Sequence, residues 1–433
     1  MGRKLPIGIQ SFEKIRCDGF VYVDKTAWVH GLARAGVPVF LSRPRRFGKS
    51  LLVSTLRAYF EGRSDLFRGL AIERLEEAAA REEGREPWVA RPVLLLSFNG
   101  ADYTREGGLE GKLDAMLADL EDAWGVERRS DAPGPRFQRL LVTAHAVSGH
   151  RVAVLVDEYD KPLLEAVDDF ALEERNRAAL KGFYSVPKDA DEHLRFTFIT
   201  GVTTFSKVSI FSDLNQLSDV SLERDYAAAC GITEPELVAT FGPELDALAS
   251  KLGLDAAGCL EALRDLYDGY CFHPDGPGEG AERAGRCVYN SFSLVSALQK
   301  RRLASWWFST GTPTFLVRRV REAELDPRRL TDGTLWATER RLSDYRADDP
   351  DPIPPMFQAG YLTIRGADPK TGRYELAVPN GEVRHGLEES LLPAWAPGYS
   401  EARGTDVFTL LGHVEAGDGD GVRDVLAADR TAR

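Results

Sequence analysis

The chain holds 433 residues, 43% hydrophobic and 28% charged, with a net charge of −12 at neutral pH. That balance predicts a soluble protein of two or three domains that buries its own core, and the acidic surplus argues against bulk nucleic-acid binding. No apolar run approaches the roughly 18 residues that cross a bilayer, and the opening MGRKLPIGIQSFEKIRCDGF lacks a signal-peptide core, so the expectation is a cytoplasmic chain with no membrane partner.

Residues 1–50 depart from the overall charge. They carry ten Lys and Arg against three acids, a net of +7 that leaves −19 for the rest. The local basic stretch at 43–49 suits a small polyanion such as a nucleotide.

Residues 37–42 (VPVFLS) form an apolar, β-branched run and read as a buried strand. A Gly-containing turn follows, then apolar residues at helical spacing over 50–59. Further apolar runs at 93–98 (VLLLSF), 152–156 (VAVLV) and 196–200 (FTFIT) alternate with helical stretches at 110–124 and 172–184. Continuous apolar strands alternating with helices predict an α/β fold, a parallel sheet with helices on both faces.

The turn after the first strand reads Arg43, Pro44, Arg45, Arg46, Phe47, Gly48, Lys49, Ser50. It matches the P-loop pattern G-x-x-x-x-G-K-[ST] at every fixed position except the first, where Arg43 replaces glycine. Backbone N–H groups at a helix start can wrap phosphate oxygens, helped by the helix dipole. Gly48 lets the backbone approach closely, Lys49 reaches the β/γ-phosphates, and the Ser50 hydroxyl ligates Mg²⁺. Pro44 removes one donor from the cradle, for which Arg45 and Arg46 can compensate with charge. The bland alternative is a basic turn that caps a helix.

The third strand ends in Asp157 and Glu158, the Walker B arrangement: Asp157 for Mg²⁺, Glu158 to orient or deprotonate the attacking water. Asp160 is a candidate cap for a helix starting near Pro162. At the end of the fourth strand Thr200, Thr203 and Thr204 are candidates for contact with the γ-phosphate or water.

Beyond residue 226 the pattern becomes helical to about residue 266, then a polar loop covers 274–286. Two short strands, 361–364 and 374–378, flank ADPKTGR as a hairpin, which makes a winged-helix-like unit a candidate within 301–395. The five cysteines are odd in number and form no C-x-x-C pair, so reduced thiols are expected. No metal-ligand spacing of histidines appears.

In combination and order, several blocks resemble one family: RPRRFGKS (43–50), LVDEYDKP (155–162), ITGVTTFSKVSIFSDLNQLSDVSL (199–222), LYDGYCF (266–272), VYNSFSL (288–294) and VPNGEV (378–383). They resemble the AAA-ATPase-like family of bacterial proteins, whose P-loop domain is usually followed by a PD-(D/E)XK nuclease-like domain. The resemblance implies an ATP-binding core over 1–225, a helical lid over 226–300 and a mixed α/β extension over 301–395, with ATP and Mg²⁺ as ligands. Residues 396–433 are expected to be a helical or disordered tail. No Glu-x-Lys follows residue 383, so the nuclease-like domain is expected to be absent. The functional expectation is a Mg-dependent ATPase acting as a nucleotide-driven switch for a protein or nuclease-like effector. The alternatives are a non-hydrolysing nucleotide- or partner-binding module and a DNA-associated ATPase, the last disfavoured by charge.

Overall fold

The computed structural model describes residues 3–204, 210–211, 217–275, 287–308, 319–320, 322–323, 325, 327–330, 334–343, 351–395, 418–421 and 423. Five strands build the central sheet: β1 (Val39–Ser42), β2 (Val93–Ser97), β3 (Val152–Asp157), β4 (Leu194–Gly201) and β5 (Ser218–Asp219). Every pairing is parallel and the order is β2-β3-β4-β1-β5, so β4 is inserted between β1 and β3. β5 pairs through only two residues, too few to leave a periodic trace in the sequence.

Alternation along the strands explains why both faces are apolar. Val39, Leu41, Ala153 and Leu155 face one core, while Phe40, Val154 and Val156 face another. Helices α1 (Phe12–Cys17), α2 (Thr26–Ala33), α3 (Lys49–Phe60) and α4 (Ala71–Glu83) contribute to the first core. Helices α5 (Gly108–Trp124), α6 (Pro133–Ser148), α7 (Lys161–Leu164) and α8 (Phe170–Tyr184) contribute to the second.

The short α9 (Val186–Asp189) packs against the second core through Val186, and a third core forms among α10 (Glu234–Leu252), α11 (Ala256–Tyr267) and α12 (Ser291–Lys300). Thr233 and Glu236 close a capping box at the start of α10, and a break at Phe241, before Pro243, kinks it. Asn290 caps α12 by accepting from two backbone N–H groups.

The C-terminal part holds an antiparallel sheet in the order β6-β8-β7: β6 (Leu335–Thr338), β7 (Thr363–Asp368) and β8 (Arg373–Ala377). The expected hairpin is β7 with β8, its first strand shifted toward the turn; β6 was not expected. Around it lie α13 (Glu339–Ser343), α14 (Ile353–Ala359) and α15 (Gly381–Trp395). Met356, Ile364, Leu376 and Val383 belong to the same core as Leu52 and Leu56 of α3, and Gly360 lies against Pro44 of the phosphate loop. The expected tail lies outside the described residues apart from 418–421 and 423.

Two local expectations change. Cys271 and Cys287 are joined as a disulfide, with their Cα atoms 4.4 Å apart. The backbone explains it: Tyr270 and Val288 exchange both hydrogen bonds of an antiparallel bridge, which sets the adjacent cysteines opposite each other. Asp160 precedes α7 but makes no side-chain cap bond. Its carboxylate instead accepts from Val202 N, Thr203 N and Thr203 Oγ1.

Candidate functional site

In a parallel sheet all strand ends of one sense lie along one edge, and ligands bind there. Here that edge gathers the loop after β1, Asp157 at the end of β3 and Gly201 at the end of β4. Gly48 stands at the start of α3 with φ 95°, and a Cβ placed on it would meet nothing within 4 Å. The left-handed φ, not crowding, is what favours glycine here, and the space beside the helix start is open. Lys49 is 4% exposed, and its ammonium donates to the carbonyl oxygens of Arg43 (2.9 Å) and Pro44 (3.1 Å).

Asp157 is buried and its carboxyl is pushed up to about 6. Burial is the main cause; the nearby Glu158 adds to it, while hydrogen bonding from Ser50 and the charge of Lys49 oppose it. Its Oδ1 is buried with no hydrogen-bond partner. A buried carboxylate oxygen left without a donor, beside a serine hydroxyl, is a donor set that fits a hard divalent cation. Glu158 is half-buried, holds a left-handed backbone (φ 57°) and faces the same space as Lys49 and Ser50.

That space is a cavity of about 440 Å³. Arg45 to Ser50 and Glu158 line it together with the apolar Ile7, Val23, Ile232, Phe241 and Val295. Charged groups and apolar side chains in one cavity suit a ligand that carries both phosphates and a flat heterocycle. These apolar residues come from three separate chain segments, so sequence reading did not find them as a site.

The other predicted residues are placed as follows. Arg43 is 1% exposed and turns away from the cavity: its guanidinium donates to the carbonyls of Ser42, Ser221 and Tyr226, each at 2.8 Å, and lies 4.0 Å from the Phe272 ring centre. Burial lowers it to about 10. Pro44 backs onto Gly360, where a Cβ would come within 2.9 Å of it. Phe47 is buried against Tyr270 and Phe272, and its carbonyl accepts from Gly231 N. Arg45 and Arg46 are exposed; Arg46 lies over Phe292, and the Arg45 carbonyl accepts from the Trp307 indole.

The threonines are engaged within the protein. Thr200 Oγ1 donates to the Leu41 carbonyl at 2.6 Å, tying β4 to β1. Thr203 Oγ1 donates to Asp160, and Thr204 Oγ1 to the Ser343 carbonyl. Gly201 makes this close approach feasible, since a Cβ there would lie 2.4 Å from Asp160 Oδ1.

A larger cavity, about 880 Å³, lies on the other side of Arg43 among Asp219, Glu223, Asp225 and Glu339. It contains none of Lys49, Ser50 or Glu158, all of which line the smaller one, and Thr204 and Ser343 at its wall border stretches outside the described residues. The smaller cavity is therefore the candidate site.

Comparison with known proteins agrees with this geometry. The profile of a family described as predicted AAA-ATPase matches residues 6–211. An uncharacterized protein in the vnfD 5' region of Azotobacter chroococcum mcd 1 is 42% identical over 402 residues, covering 91% of this chain and 71% of that protein.

Proposed function

The chain belongs to the predicted AAA-ATPase family, and from that premise we propose that it binds ATP with Mg²⁺ in the 440 Å³ cavity and hydrolyses it to drive a conformational switch. One observation carries this reading: Lys49, Ser50, Asp157 and Glu158 meet at one sheet edge, and the buried Asp157 Oδ1 has no partner there.

In this reading Lys49 leaves the Arg43 and Pro44 carbonyls and pairs with the β/γ-phosphates. The backbone N–H groups after Gly48 hold phosphate oxygens. Ser50 and Asp157 hold the Mg²⁺, whose charge offsets that developing on the phosphates. Glu158 orients a water and takes its proton. Thr200 and Thr203 fix the end of β4 against β1 and Asp160, so that Asp157 and Glu158 keep their places. Ile7, Val23, Ile232, Phe241 and Val295 enclose the base.

The switch rests on how α10 to α12 attach. Gly231 N donates to the Phe47 carbonyl, and Lys25 Nζ donates to Glu236 and to the Ala228 carbonyl. The start of the helical segment is thus bonded to the phosphate loop and to the N-terminal block. A nucleotide that shifts the loop shifts these bonds, which supports a lid whose position reports the bound state to a protein or nuclease-like effector. Measuring phosphate release by the purified chain, with Mg²⁺ and with or without DNA, tests the reading. Turnover independent of DNA supports it, no turnover reduces the protein to a nucleotide-binding module, and turnover that requires DNA makes it a DNA-associated ATPase.

A further inference from the structure

The edge of the parallel sheet opposite the phosphate loop carries an arginine at the start of each of three neighbouring strands. Val93 of β2 pairs with Ala153 of β3, which sets Arg91 opposite Arg151 two residues upstream. Val152 pairs with Leu194, and the register then shifts so that Arg195 occupies the irregular step between β3 and β4. Arg91 and Arg195 are half-buried and Arg151 is exposed. Among the described residues none of the three side chains has a hydrogen bond or an ion pair.

Their neighbours are different. Arg85 pairs with Glu76 and Glu83, and Arg34 with Glu83. Glu76 also accepts from Tyr59 Oη at 2.7 Å and Trp88 N at 3.2 Å, so its carboxylate is already fully used. The acids near the cluster are therefore spent on Arg34 and Arg85, and the positive charge of Arg91, Arg151 and Arg195 is left over on a chain that is acidic overall. Burial is the main cause that lowers both Arg91 and Arg195; repulsion from neighbouring arginines, Arg151 among them, adds to it, while Tyr59 opposes it at both and Glu83 at Arg195. Like charges crowded at a half-buried position are unfavourable where the nearby acids are outnumbered and already paired, and an anion relieves that.

Arg91 and Arg195, though not Arg151, also line a cavity of about 30 Å³ with Arg34, Arg85, Tyr59, Trp88 and the carboxylate of Glu76, which its own donors already engage. That volume takes a water or the oxygen of an oxyanion, and is far too small for a nucleotide. Guanidinium forks match phosphate oxygens two at a time. We propose that Arg91, Arg151 and Arg195 form a second anion site, distinct from the ATP cavity, that takes a compact phosphate-class oxyanion at the strand starts of β2, β3 and β4.

The test uses the full chain carrying Lys49→Ala, so that the phosphate loop is disabled, titrated by calorimetry with inorganic phosphate, pyrophosphate and a single-stranded oligonucleotide. Pyrophosphate should still bind, adding R91Q/R195Q should weaken it at least tenfold, and the exposed R151Q alone should weaken it several-fold. In a chain with Lys49 intact, R91Q/R195Q should leave ATP affinity unchanged, which also shows that the variant folds. Loss of all pyrophosphate binding with Lys49→Ala, or binding that R91Q/R195Q and R151Q leave unchanged, would overturn the proposal. So would an oligonucleotide that displaces pyrophosphate, because the ligand would then be a nucleic-acid backbone.

Discussion

The Lys49 ammonium lies 2.9 Å from the carbonyl oxygen of Arg43, folded back onto its own loop. The lysine that the sequence assigns to phosphate thus has an internal partner until a phosphate competes for it. The same Arg43 sends its side chain the other way, to the carbonyls of Ser221 and Tyr226. One residue therefore holds Lys49 through its backbone carbonyl and the far side of the loop through its guanidinium.

Arg43→Gly restores the glycine of the general P-loop pattern, yet it should weaken the protein. It removes three hydrogen bonds at a buried site and leaves the Ser221 and Tyr226 carbonyls without this donor. The expected loss of unfolding free energy is about 3 kcal/mol, read by urea denaturation. ATP affinity should not improve; a variant of wild-type stability with tighter ATP binding would show that Arg43 is a dispensable replacement.

Asp157 gives a pH prediction. Its carboxyl rises from an ordinary 3.8 to about 6 in the folded chain, so the folded state holds the proton more tightly. Its contribution to stability is complete below the lower value and is lost as pH rises through the upper one. Without nucleotide or metal, Asp157→Asn should therefore melt higher than wild type above pH 6, and match it more closely under acid. Mg²⁺-dependent tightening of ATP binding needs the ionised carboxylate and should fade as pH falls through about 6. An Asn variant that melts lower than wild type at neutral pH would contradict the assignment of an uncompensated buried charge.

Glu158→Gln should keep ATP affinity and stop phosphate release, because the amide preserves shape but accepts no proton. Parallel calorimetry and phosphate-release assays check it. Equal turnover by wild type and variant would remove Glu158 as the base.

Much of this site could be read from the sequence because its chemistry is contiguous. Residues 43–50 and 157–158 each follow an apolar strand, and the fully buried β3 had to be such a run. Nothing local revealed that Arg43 would turn away from the ligand, since its acceptors lie some 180 residues on, at Ser221 and Tyr226. The Trp307 indole on the Arg45 carbonyl spans 262 positions. Thr200 and Thr203 offer hydroxyls at a strand end, but the inserted position of β4 determines which acceptor each meets. The pairing of Cys271 with Cys287 was hidden because it depends on the register of a single bridge.

That disulfide closes a loop with a sequence separation of 16. By loop-closure entropy, reduction should lower stability by about 3 kcal/mol. Denaturation with and without reductant, with Cys271→Ser as control, measures it; a wild-type midpoint indifferent to reductant would contradict the expectation.

The most direct test of the central claim is calorimetric titration of ATP with Mg²⁺ into the wild-type chain and into Lys49→Ala. The account predicts binding at a single site by the wild type and at least tenfold weaker binding by the variant, a loss of about 1.4 kcal/mol or more. Equal ATP affinity in the two chains would contradict it, because the ammonium now resting on the Arg43 and Pro44 carbonyls would then have no part in holding phosphate.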